Sequence, residues 1–250
     1  MPVLGVIPAR LGSTRLPRKP LQLLGGVPLV VRVAERVRGL GCLDALVIAT
    51  DSADIAGVAE AAGFRALLTA RTHRTGTERV AEVAGRDEFS GFDLIVNVQG
   101  DEPFVPEEAV TGAIARVRGG DDVGSAATPL APADAADPAR VKVVLDARGR
   151  ALYFSRAAIP CLRDPGAPAE GLYWQHIGLY ACRPETLRAW VALAPTELEQ
   201  AEQLEQLRAL QHGMTFGIAR VCAPAFPGID TPEDLRRAEA HWQDTQGVTT

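Results

Sequence analysis

Through its first half the chain alternates short apolar blocks with polar punctuation. Residues 3–7, 45–50 and 93–98 are apolar runs of strand length, too short for helices. A shorter run at 65–68 predicts a further strand. Between them the spacing predicts helices over 28–40, 53–62, about 77–84 and 106–118. Pro28 stands at the start of the first, with Gly39 and Gly41 at its end, and Asp51-Ser52 are placed to cap the second, which Gly63 stops. Strands alternating with helices predict an α/β fold with a mostly parallel sheet and helices on both faces. Such sheets bind ligands beyond the C-terminal ends of their strands, where this chain's polar segments fall.

From about residue 124 the pattern changes. Residues 125–129, 141–145 and 178–182 predict strands, with a turn at 146–149, and 164–171 is a Pro- and Gly-rich stretch expected to be a mobile loop. This stretch reads as an antiparallel excursion inside one 250-residue domain. Thr196 and Glu199 form a capping-box pattern. Leu198, Ala201, Leu204, Leu207 and Leu210 then recur every three residues, predicting one helix that ends at Gly213. A strand at 216–221 and a final helix opened by Thr231-Pro232 complete the chain.

The loop after the first strand carries Arg10, Arg15, Arg18 and Lys19, with Pro8, Gly12 and Pro17 punctuating it. A strand that ends in such a loop and feeds a helix can hold phosphate through backbone N–H groups and fixed cations. It is local positive charge on a chain of net charge −5, which argues against a general nucleic-acid binder. Neither the P-loop nor the dinucleotide-binding glycine motif is present. Cys42, Cys161, Cys182 and Cys222 have no zinc spacing and no dense disulfide pattern. No apolar run reaches the 18 residues or so of a membrane span, and the N-terminus lacks the features of a signal peptide. Reduced thiols and a cytoplasmic location are the expectation.

Two carboxylates suit a magnesium ion shared with a triphosphate, which takes one or two carboxylates besides phosphate oxygens and water. Asp101 directly follows a predicted buried strand. Asp230 precedes the last helix, where it can either cap beside Thr231 or provide the second carboxylate. In 71–79, His73, Arg74, Thr75 and Thr77 surround Gly76 and can read a base edge, while Thr75 or Thr77 can also cap the helix. His176, Gly178 and Tyr180 alternate onto one strand face. Arg156 and Arg163 are candidates to clamp a carboxylate.

Six motifs in order resemble the 3-deoxy-manno-octulosonate (Kdo) cytidylyltransferase family. They are the N-terminal loop, Asn97-Val98-Gln99-Gly100-Asp101-Glu102-Pro103, Tyr153-Phe154-Ser155-Arg156, His176-Ile177-Gly178-Leu179-Tyr180, Leu204-Glu205-Gln206-Leu207-Arg208 and Asp230-Thr231-Pro232-Glu233-Asp234. The resemblance implies a three-layer α/β/α fold of the nucleotide-diphospho-sugar transferase type. It implies transfer of CMP from CTP to Kdo, with Mg2+ as cofactor, in a cytoplasmic homodimer joined through the excursion at about 124–183. Neither nucleic acid nor membrane is an expected partner. By motif, Ala9, Arg10, Ser13 and Lys19 would hold the triphosphate, Thr75, Gly76 and Gln99 the nucleoside, and Asp101 and Asp230 the metal. Arg15, Arg163, His176, Tyr180, Glu205 and Gln206 would surround the sugar acid. Arg10, Lys19, Asp101 and Asp230 would form the catalytic set. Thr72, Thr75 and Cys161 depart from the family pattern, and a related acceptor (8-amino-Kdo or an acylneuraminate) is the alternative.

Overall fold

Strand β1 (Val3–Ala9) is buried at all seven positions, as a strand covered on both faces must be. The computed structural model describes residues 1–164, 167–222 and 224–247. After β1 come a single 3-10 turn at Lys19–Leu21 and a small hairpin of β2 (Leu23–Leu24) and β3 (Val27–Pro28). Helix α1 (Leu29–Gly39), β4 (Ala45–Thr50), α2 (Ala53–Ala61), β5 (Arg65–Leu68), α3 (Gly76–Ala84) and β6 (Leu94–Val98) follow. Strands β6, β1, β4 and β5 lie side by side in that order, all parallel. β1 runs two residues beyond the predicted 3–7, because the β4 ladder continues to the Ala9–Thr50 pair.

The chain forms two compact units, 1–105 with the chain from Phe226 onward, and 106–225. The second unit holds α4 (Glu107–Arg118), β7 (Val123–Pro129), β8 (Lys142–Leu145), β9 (Ala151–Ser155) and β10 (Trp174–Cys182). It continues through α5 (Pro184–Ala192), α6 (Glu197–Glu202), α7 (Gln206–Gln211) and β11 (Phe216–Arg220). β11 is parallel to β7, β10 is antiparallel to it, and β8 and β9 form an antiparallel hairpin. The hairpin turns at Asp146, whose carboxylate accepts from the Arg148 and Arg150 amides at 2.8 Å each. Helix α8 (Pro232–Gly247) belongs to the first unit. The predicted α/β class is therefore observed, with a mostly parallel sheet, flanking helices and an antiparallel portion.

Three local expectations are corrected. The single helix to Gly213 is two helices. Gln203 adopts a left-handed conformation (φ 53°) between α6 and α7, and the Arg156 side chain binds the Glu202 and Gln203 carbonyls at 2.8 and 3.3 Å. A strict spacing of three drifts around a helix of 3.6 residues per turn, and the break resets the buried face. Ser52 sits at the start of α2 without a side-chain capping bond, and Asp51 is engaged by Arg79 instead. The turn expected between strands at 146–149 leads into β9, with its exposed Leu152 and buried Phe154, a strand whose bounds the sequence left open. β10 starts at Trp174 rather than 178, since its ladder with β7 begins at the Trp174–Pro129 pair. Of the stretch expected to form a loop at 164–171, residues 165 and 166 lie outside the described residues.

Candidate active site

A cavity of about 290 Å³ opens at the C-terminal ends of β1 and β6 in the first unit. Ala9, Arg10, Ser13, Arg15, Lys19, Thr75, Gly76, Gln99, Asp101 and Asp230 all line it. These residues come from four separate chain segments, which the parallel strand order brings to one end.

The cationic loop is held from several sides. Leu16 is buried, and its amide donates to Ser13 Oγ at 3.3 Å. Gln22 Nε2 donates to the Pro17 carbonyl at 2.7 Å. Arg18 is left-handed at φ 52° and pairs with Asp54 at 2.8 Å. Lys19 then points inward, and its Nζ donates to Asp101 Oδ2 at 2.5 Å and Asp230 Oδ1 at 2.9 Å. Arg15 meets the other Asp230 oxygen at 2.9 Å. Burial works against the Lys19 charge, yet the two carboxylates outweigh it and hold the amine above its ordinary value.

The two roles open to Asp230 are separated by the structure. Thr231 caps α8, its Oγ1 accepting from the Asp234 amide at 3.1 Å, and Asp234 accepts in return from the Thr231 amide at 2.8 Å. The Asp230 carboxylate is left facing Lys19 and Arg15. Asp101 and Asp230 thus converge on one cation, and this arrangement suits a divalent ion that takes oxygen ligands. Among the described residues no three or more His, Cys, Asp or Glu side chains group to hold a metal. Beside this pair, burial and then the Asp101 carboxylate push Glu102 up to about 8.

On the opposite wall, Thr75 caps α3 by accepting from the Glu78 amide at 3.2 Å. A Cβ on Gly76 would stand 3.1 Å from Pro8 Cγ and 3.6 Å from Gln99 Oε1, so a residue without a side chain lets the helix start close over the strand ends. His73 is engaged elsewhere, 2.6 Å from Glu82. Arg79 was not singled out from the sequence, yet it lines the cavity with 2% exposure. Its guanidinium binds Asp51 at 2.9 Å and the Thr69 hydroxyl. The signal was available: Gly76, Arg79, Val80 and Val83 fall on one helical stripe, and an arginine on a buried stripe requires partners.

His176, Tyr180, Glu205, Gln206 and Arg163 belong to the second unit. The His176 and Tyr180 rings lie 5.6 Å apart. Phe154 meets His176 edge-on at 4.9 Å. Burial pushes His176 down to about 3, and burial together with Glu205 raises Tyr180 well above its usual value. Gln206 is buried, at 3% exposure, whereas Arg163 is exposed. Arg156 does not serve as a free clamp. Its guanidinium donates to the Glu202, Pro138 and Gln203 carbonyls, which ties the β9 end to the break between α6 and α7.

A parallel sheet with a basic loop after its first strand, and paired carboxylates at the same strand ends, defines a nucleotidyltransferase. The cytidylyltransferase family model matches residues 4–216. A 3-deoxy-manno-octulosonate cytidylyltransferase of Gemmatimonas aurantiaca is 51% identical, over 97% of this chain and 95% of the relative. One of Polynucleobacter necessarius is 47% identical over 93% of this chain and 92% of the relative. The solved structure of a CMP:2-keto-3-deoxy-manno-octonic acid synthetase complexed with CTP superposes with a TM-score of 0.90 at 35% identity, covering 98% of this chain and 100% of that one. The chain belongs to the cytidylyltransferase family and, within it, to the 3-deoxy-manno-octulosonate cytidylyltransferases.

Proposed function

We propose that this enzyme transfers CMP from CTP to the anomeric hydroxyl of Kdo, releasing pyrophosphate and giving CMP-Kdo for lipopolysaccharide synthesis. The observation that carries the reading is the strand-end cavity in which Lys19 spans Asp101 and Asp230 at 2.5 and 2.9 Å.

The reaction is a single in-line displacement at the α-phosphorus, in which both reactants are anions. Arg10, Ser13 and Lys19, with the backbone at Ala9, hold and neutralise the triphosphate. Thr75, Gly76 and Gln99 position the nucleoside. Asp101 and Asp230 hold magnesium, which when bound supplies Lewis-acid stabilisation of the charge that develops on phosphate oxygens. Arg15, Arg163, His176, Tyr180, Glu205 and Gln206 bind the acceptor. His176 is not the general base, because its burial leaves the ring neutral and weakly basic. Orientation of the hydroxyl opposite the departing pyrophosphate supplies much of the rate.

We further place the enzyme in the cytoplasm as a homodimer paired through about 124–183, in keeping with the family resemblance. Among the described residues no helix is long and apolar enough to cross a membrane.

Pyrophosphate release from CTP with Kdo, 8-amino-Kdo or N-acetylneuraminate in parallel tests the assignment. Release with Kdo above the others is the expected result. Release with only another acid moves the acceptor, and release with none overturns the activity.

A further inference from the structure

We propose that Ser125 is a positioning residue that fixes His176 in its Nε2–H tautomer, so that Nδ1 is presented to the acceptor as an obligate hydrogen-bond acceptor for a substrate hydroxyl. The inference rests on the reading of His176 as part of the sugar-acid site and names what that residue recognises.

The local backbone creates the arrangement. β10 pairs with β7 in regular register through His176–Ala127 and Ile177–Ala126, then shifts, and pairing resumes at Ala181–Gly124. Residues 178–180 of β10 therefore stand opposite Ser125 alone, and a ladder interrupted in this way leaves backbone groups unpaired. Ser125 has no exposure, and its Oγ reaches into the gap. It lies 2.8 Å from the Leu179 carbonyl, 3.4 Å from the Ile177 carbonyl and 2.8 Å from His176 Nε2.

A hydroxyl has one proton to give. The carbonyl oxygens can only accept. If Ser125 donated to His176, its lone pairs would face the Leu179 oxygen at 2.8 Å with no proton between them. Both short contacts are favourable in one arrangement: His176 Nε2–H donates to Ser125 Oγ, and Ser125 Oγ–H donates to the Leu179 carbonyl. Nδ1 then carries the lone pair. Among the described residues, sealed side-chain polar atoms without partners are limited to Asn97 Oδ1 and Arg116 Nε. His176 Nδ1 has no partner among those residues either, so it meets solvent through the ring's 8% exposure. Phe154 and Tyr180 pack against the ring, with centroids at 4.9 and 5.6 Å. Burial keeps the imidazole neutral, which preserves the acceptor. A lone pair attracts a hydroxyl proton and repels a carboxylate, so His176 reads a hydroxyl of the polyhydroxy acid and leaves its carboxylate to cations.

The first test needs no substrate. Nitrogen NMR of histidine-labelled wild-type enzyme is expected to show His176 with a pyridine-like Nδ1 and a pyrrole-like Nε2, unchanged from about pH 5 to 8. The opposite tautomer, or an imidazolium in that range, overturns the proposal whether or not Kdo is the acceptor. Ser125→Ala should blur the tautomer signature and raise KM for Kdo about tenfold, a typical hydrogen-bond loss, with KM for CTP and kcat little changed. Ser125→Thr keeps the hydroxyl and should keep the wild-type signature. An unchanged KM for Kdo in a folded Ser125→Ala protein overturns the proposal. Absence of turnover with Kdo in wild type, with the tautomer as described, instead rejects the choice of acceptor.

Discussion

The Lys19 ammonium donates to the Asp101 carboxylate at 2.5 Å. With Asp230 also within 2.9 Å, one amine pairs with both of the carboxylates proposed to hold magnesium. Lys19→Met should therefore separate two effects. Without the ammonium, the nucleotide-free protein should bind magnesium more tightly than wild type by calorimetry. Turnover should nevertheless fall about 100- to 1,000-fold, as for loss of one charge-stabilising donor. Equal magnesium affinity in the two proteins would contradict this arrangement.

The strand ends and their polar segments were legible because parallel strands buried on both faces are written as plain apolar runs, as β1 and β6 are. The choice at Asp230 was not. A carboxylate before a helix can cap it or face a ligand, and what decides is the local pairing of Thr231 with Asp234. Arg156 read as a clamp because a sequence shows a cation and not the three carbonyls that occupy it. Arg79 escaped notice because its partners, Asp51 and Thr69, come from the ends of two other strands, β4 and β5. The break at Gln203 depends on that same Arg156, a partner distant in sequence.

Gly76 offers a geometric test. The alanine Cβ would stand 3.1 Å from Pro8 Cγ, so the start of α3 or the Pro8 ring must give by a few tenths of an ångström at the cavity wall. Gly76→Ala should raise KM for CTP about tenfold or more, the equivalent of 1.4 kcal/mol. KM for Kdo should change far less. Initial-rate kinetics with each substrate varied in turn provides the comparison, and equal shifts in both would point to general damage.

Lys142 is fully buried, and its Nζ donates to the Asp137, Arg140 and Arg156 carbonyls at 2.8, 2.5 and 2.6 Å. It ties the 137–140 turn to the end of β9. Burial lowers its pKa, while the carbonyls supply the partners that a buried ammonium needs. Lys142→Met would strand those carbonyls and should cost about 2–4 kcal/mol in urea unfolding. A change within about 0.5 kcal/mol, the range of an ordinary surface substitution, would contradict the role.

His176 gives a pH dependence of definite sign. Its folded value of about 3 lies below the usual value near 6.5, so between the two the unfolded chain binds the extra proton. The stabilisation is fully present above about 6.5 and is lost progressively as pH falls toward 3, with a limiting slope of about 1.4 kcal/mol per pH unit. His176→Gln should remove one proton's worth of that slope in denaturation measured from about pH 7 to 4. An unaltered slope would show that the ring is not buried as a neutral group.

The most direct measurement is magnesium-dependent pyrophosphate release from CTP and Kdo by Asp101→Ala, beside circular dichroism of the same preparation. Asp101 is partly exposed at the strand end, so the variant should keep the wild-type spectrum and lose turnover. Near-normal release by the folded variant would contradict the placement of the metal and the reaction at the Asp101–Asp230 pair.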